Sequence, residues 1–187
     1  MRLFEFLMVL VSIIIGLGVA EILTGVARSL RSGGSVRRYW VHSVLVLALF
    51  IAQLQQWWES WGLREVPEWS FLALLMMLVG PVCLFLMAHL LFPERLEGSN
   101  LQEYYYGEMR PFWWLGAFAV VAATSFRPLV FGHTIFTADN ATSLLIFVSF
   151  VLLFCLKRKI VHAVLVPVIL LLLLLDVFRW TFIIGGG

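Results

Sequence analysis

Apolar residues run in long blocks along this chain, and polar ones gather between the blocks. Six blocks stand out, approximately 3–27, 39–58, 69–92, 111–126, 141–156 and 160–183. None shows the strict alternation of a half-buried strand, and most approach the roughly 20 residues that a helix needs to cross a bilayer. The pattern therefore predicts an all-α, polytopic integral membrane protein. It is read as one domain over residues 1–187, a bundle of about six transmembrane helices. The fourth and fifth blocks are the shortest. The fourth lengthens toward Phe131 if the chain passes Arg127 and Pro128 with a break at the proline. Gly18 and Ala20 before Glu21 resemble a leader-peptide cleavage site. The apolar pattern runs on through Ile22, Leu23, Val26 and Ala27, so the first block is expected to be a retained helix.

Between the blocks the segments are short. The longest, from Pro93 to Arg110, holds Pro93 as a helix stop, "EGSN" as a turn and "YYYGEMR" as an amphipathic approach to the fourth helix. No soluble domain is left to hold a nucleotide or a catalytic triad. "GLG" and the terminal "IIGGG" lack the strand–turn–helix context of a phosphate loop. Gly16, Gly18 and Gly25 are expected to let helices pack closely. Asn140-Ala141-Thr142 matches a glycosylation sequon.

Composition agrees with the blocks. Of 187 residues 62% are hydrophobic and 13% charged, and the mean hydropathy is +0.99. That is about half the charge of a soluble domain, so the bilayer must be the main solvent. The net charge of +2, with no long basic tail, is too small to suggest nucleic acid, and none is expected as a partner. Cys83 and Cys155 lie in apolar runs with no CxxC, and read as buried small side chains.

Orientation follows from Lys and Arg. Arg28, Arg31, Arg37, Arg38, Arg95, Arg110, Lys157, Arg158 and Lys159 fall on one side, and Arg2, Arg64, Arg127 and Arg179 on the other. The richer side is expected to be cytoplasmic, with both termini outside, and the membrane to be a bacterial inner (plasma) membrane. All eight tryptophans fall at block ends. Trp40, Trp113 and Trp114 lie on the cytoplasmic side, and Trp57, Trp58, Trp61, Trp69 and Trp180 on the other, as an aromatic belt requires.

One phrase occurs twice. "RRYWVHSVLV" (37–46) and "KRKIVHAVLV" (157–166) agree at Arg38/Arg158, Val41/Val161, His42/His162, Val44/Val164, Leu45/Leu165 and Val46/Val166. Both copies open helices leaving the same side. Duplication of a three-helix unit would have set them in opposite directions. Convergence on one kind of helix opening is the favoured reading, with true internal symmetry or a paired site as the alternatives.

Intramembrane polar residues are expensive and mark candidate chemistry. Glu21, His42, His89 and His162 lie at similar depth on four helices. Glu21 is expected to face the bundle. His42, His89 and His162 with that carboxylate suit a metal such as zinc or iron, a histidine pair suits haem, and the whole set suits a proton relay. On the opposite side lie Glu5, Gln53, Gln56, Arg127 and Asp176. Gln53 and Gln56 share a helix face at i, i+3, and Asp176 and Arg179 pair locally.

The leading expectation is an ion, proton or small-solute transport unit, possessing no resident cofactor, with Glu21, the three histidines, Asp176, Gln53 and Gln56 on its path. Its surroundings are the lipid bilayer, with a homo-oligomer or another membrane protein as partner. The alternatives are a non-catalytic subunit or sensor, binding partners through Trp57, Trp58 and Trp61 or through Tyr104, Tyr105 and Tyr106, and a metal- or haem-dependent membrane enzyme.

Overall fold

In a computed structural model the apolar blocks are helices. The structure describes residues 3–32, 34–64, 69–131 and 141–181. Asn140 of the sequon, Arg2 and both termini lie outside them, as do the side chains of Arg127 and Arg179. The helices are α1 (Leu3–Arg31), α2 (Trp40–Ser60, ending in a 3-10 turn at Trp61–Leu63), α3 (Phe71–His89), the short α4 (Leu101–Gly107), α5 (Arg110–Phe131), α6 (Ala141–Cys155) and α7 (Lys159–Thr181). There is no β-strand among the described residues. A lone backbone bridge joins Arg37 and Asn100.

Among the described residues, four segments are long and apolar enough to cross a membrane: Phe4–Arg31, Trp40–Leu63, Phe71–His89 and Lys159–Phe178. α6 is shorter. Its 15 residues rise only about 22 Å, against roughly 30 Å of hydrocarbon. α5 runs on through Pro128 as one helix of 22 residues to Phe131, with no break there.

Each long helix packs on two neighbours in the order α1, α3, α5, α6, α7, α2 and back to α1, so the helices close a ring; α2 also touches α3. Helices run up and down in chain order, so within the ring α1 and α3 are parallel, as are α2 and α7, and the other neighbours are antiparallel. The ends of α1, α3 and α6 meet the starts of α2, α5 and α7 at one end of the bundle, which carries most of the basic residues and is called the basic end below.

The stripe that α1 buries is Phe4, Leu7, Val11, Ile15, Gly18, Ile22, Gly25 and Ser29, the three-and-four spacing of one helix face. Glycine falls on that stripe where a neighbour comes closest. The Gln53 amide lies where a Cβ of Gly18 would be, and the Phe92 ring lies where a Cβ of Gly25 would be. Gly16 points away, with nothing near it, so only two of the three expected glycines serve packing. Gly116 of α5 receives Phe150 of α6 in the same way, and Gly80 of α3 faces Gln56.

α3 ends at His89, four residues before Pro93, earlier than a stop at the proline implies. The residues just past the helix are held by side chains: the Tyr104 hydroxyl donates to Leu90 O at 2.9 Å and His42 Nε2 to Leu91 O at 2.7 Å. Such bonds satisfy carbonyls that a helix end leaves open. The "EGSN" segment is a turn as expected. Gly98 sits at φ +73°, where a side chain would be strained. Asn100 then caps α4, accepting from Gln102 N at 3.1 Å and donating to Glu103 at 2.7 Å.

The core divides in two. The larger cluster, at the basic end, is built on Ile22, Val41, Leu45, Leu91, Tyr105, Phe112, Trp113, Phe150, Leu153 and Val166. The smaller, at the far end, is Phe4, Val11, Ile15, Leu63, Met77 and Phe126.

Candidate functional site

At the basic end α4 lies across the helix ends and fills them with rings. Tyr105 is buried, 1% exposed, and its ring meets those of Tyr39 (5.5 Å), Tyr106 (4.9 Å), Trp113 (5.6 Å) and His162 (5.3 Å), all nearly edge-to-face. This is the favoured arrangement of quadrupolar rings. The hydroxyls are paired: Tyr105 with His162 Nδ1 at 2.9 Å, Tyr106 with Tyr39 at 2.9 Å, and Tyr104 with Leu90 O. Burial, then the nearby Glu108 and Glu94, pushes the Tyr104 phenol up to about 12. Burial raises the Tyr105 and Tyr106 phenols as well. Of the three tyrosines singled out for a partner, Tyr105 is buried in the bundle's own packing, and Tyr104 and Tyr106 are half-buried against it.

The repeated histidines do the same local work twice. His42 Nε2 bonds Leu91 O just past α3, and His162 Nε2 bonds Leu156 O at 2.8 Å just past α6. A carbonyl only accepts, so Nε2 carries the proton on each ring. In neutral His162 this leaves Nδ1 to accept from Tyr105. Each histidine clamps the end of an adjacent antiparallel helix, where the dipole is negative and a donor is favoured.

Glu21 and His89 sit apart from these clamps. Their side chains are 37% and 66% exposed, and Glu21 Oε1 lies 3.5 Å from His89 Nδ1. The carboxylate does not face the bundle interior as expected. It neighbours Ile22, and one residue along a helix is a rotation of about 100°, enough to carry it to the rim between α1 and α3. Arg28, two turns further on, donates instead to Glu94 O at 3.2 Å. Among the described residues no three His, Cys, Asp or Glu side chains converge to hold a metal ion. His42, His89 and His162 are held by separate partners rather than by one centre.

The polar face of α2 is the feature that packing does not explain. Gln53 is fully buried, 0% exposed. Neither its Nε2 nor its Oε1 has a hydrogen-bond partner among the described residues. It enters the space that Gly18 leaves at the middle of α1, close to the boundary between the two core clusters. One turn further on, Gln56 faces Gly80 at the middle of α3. There it lines a cleft of about 80 Å³ with Glu59, Ser60, Met76, Met77 and Phe126, toward the far end. Asp176 is half-buried on α7. Trp57, Trp58 and Trp61 are exposed at the far end. Trp57 donates to Ser12 Oγ at 3.0 Å, and Trp61 packs edge-on to Phe4.

No family profile, curated protein or solved structure matches this chain.

Proposed function

We propose that the chain is a small transport unit that spans a plasma membrane six times, both termini on the non-cytoplasmic side, and passes a small polar solute or cation along the polar face of α2. The observation that carries this reading is Gln53. An amide kept in the dry middle of a bundle with both ends unpaired costs roughly 1–3 kcal/mol, and a leucine there would avoid that cost. Such residues persist in membrane bundles where a path needs them. Gln56, Glu59 and Ser60 continue the polar line to the cleft at the far end. The tyrosine plug closes the basic end, so the conformation described is one that is sealed on the cytoplasmic side. Glu21 and the histidines are assigned here to the rim and to helix clamping, and the path to α2.

The test is osmotic. Purified protein in liposomes, given a step of urea, glycerol or potassium gluconate, should relax faster than protein-free liposomes for at least one of the three, and Gln53→Leu should abolish the difference. A pH-sensitive dye inside the vesicles reads protons in the same preparation. Wild-type relaxation no faster than that of empty liposomes for every probe overturns the reading.

A further inference from the structure

The repeated phrase has a charged half that the histidine clamps do not use. Arg37 and Arg38 stand immediately before α2, and Lys157, Arg158 and Lys159 lead into α7. The two helices are packed side by side. Their starts lie level with each other: Tyr39, the N-cap of α2, and His162, in the first turn of α7, both rest on Tyr105 and Tyr106 at ring separations of 5.1–6.0 Å. All five cations are exposed. Arg38 Nη2 donates to Ser29 O at 3.3 Å. Among the described residues none of the five is paired with a carboxylate, and neither helix has an acidic residue in its first turn.

This charge has the wrong sign for its place. A helix N-terminus is the positive end of the dipole and is stabilised by anions. Here two such termini lie together beneath five cations, none of them ion-paired to a carboxylate among the described residues. Below the cations the surface is apolar and bare: Trp40 is 56% exposed, Ile160 73% and Val164 56%. Positive charge above and an uncovered apolar strip beneath match the two parts of a phospholipid. A soluble anion would satisfy only the first.

We infer that the paired starts of α2 and α7 form a binding site for an anionic phospholipid, its phosphate held by Arg37, Arg38 and Lys157–Lys159 and its acyl chains lying along Trp40, Ile160 and Val164. Basic pockets between membrane helices on the cytoplasmic side are suited to such headgroups. The site is independent of the transport reading, since it involves neither Gln53 nor the cleft.

The experiment is native mass spectrometry of the full chain released from detergent with phosphatidylglycerol or phosphatidylcholine added in increments. Three proteins are compared: wild type, a patch variant (Arg37→Gln, Arg38→Gln, Lys157→Gln, Arg158→Gln, Lys159→Gln) and a control variant with two other basic-end cations removed (Arg31→Gln, Arg95→Gln). Wild type should retain phosphatidylglycerol in preference to phosphatidylcholine. The patch variant should bind phosphatidylglycerol more weakly by about tenfold or more, and the control should stay close to wild type. Glycerol phosphate at the same concentration should not displace the lipid. The inference is overturned if the control loses as much affinity as the patch variant, if wild type does not discriminate between the two lipids, or if glycerol phosphate competes fully. Circular dichroism of each variant shows that the helices are retained. If the patch variant does not fold, Lys157→Gln/Lys159→Gln alone, at the exposed start of α7 and the link before it, carries the same comparison.

Discussion

Replacing Gln53 with leucine should make the protein more stable. The Gln53 amide is fully buried and unpaired at both ends, so the native state bears its desolvation, roughly 1–3 kcal/mol. Leucine has a similar volume, and swaps that conserve volume in a packed site usually cost under about 1.5 kcal/mol. The expected balance is a gain near 1–2 kcal/mol. For a chain of this length each kcal/mol moves the midpoint by roughly 2–4 °C, so the thermal transition in detergent, followed by tryptophan fluorescence, should rise by about 2–8 °C. Gln53→Ala is the contrast: it removes the amide but leaves a cavity, and should gain little or lose. A midpoint that falls in Gln53→Leu would refute the reasoning, because it would mean that the amide is paired in the folded protein. The same variant separates stability from function. Stabilised and inactive in the osmotic assay, it marks a residue kept for the path; stabilised and fully active, it marks Gln53 as ballast.

Other outcomes follow from the packing. Gly116→Ala places a methyl where the Phe150 ring lies and should lower stability by about 1–3 kcal/mol, whereas Gly16→Ala, with open space around it, should be neutral or gain up to about 1 kcal/mol; equal midpoints for the two would contradict the notch assignment. Tyr105→Phe leaves His162 Nδ1 without its donor and should cost about 1–3 kcal/mol, with loss of the variant's protection in hydrogen exchange at α4 as the local readout. Above pH 10 the unfolded chain gives up phenolic protons that the fold retains, since Tyr104 stays protonated up to about 12. The stability this supplies is complete below pH 10 and is lost as pH rises through about 12. Tyrosinate absorbance should therefore appear later in native than in denatured protein, and coincident curves would rule out the buried cap.

Much of the helix layout was legible because the bilayer imposes long apolar runs, and these read directly as helices. The rotation of each helix was not. Gly18 and Gly25 could be seen as small residues, but only the packed stripe of α1 shows that they face inward while Gly16 does not. Glu21 was expected inside because it is surrounded by apolar residues, and it lies at the rim because its neighbour Ile22 holds the buried position. The role of Tyr104–Tyr106 was hidden for a different reason. A run of three tyrosines in a loop looks like a surface, and what draws it inward is a set of partners remote in sequence: Leu90 O, His162 and Tyr39. The stop of α3 was misplaced because a proline marks where a helix cannot continue, while side-chain donors from α2 and α4 decide where it ends.

The repeated phrase brings the two halves of the molecule under one physical rule. Residues 37–46 and 157–166 each supply cations, then a histidine in the first turn, then branched apolar residues. The histidine position is fixed by the neighbour: a helix entering beside the end of an antiparallel one finds open carbonyls about one turn in, and a ring Nε2–H reaches them. Leu91 O and Leu156 O are those carbonyls. The branched residues follow because Val41, Leu45 and Val166 pack in one core cluster. Both elements arise at any such junction without common descent, which is how convergence would produce the match. The cations are different, since neither clamp nor core requires them and the helix dipoles oppose them. If the two stretches converged, the charge was retained by something outside the chain at that level, and a headgroup phosphate answers that description. An unchanged lipid preference in the patch variant would leave the cations as orientation signals only, and the phrase would then need no ligand at all.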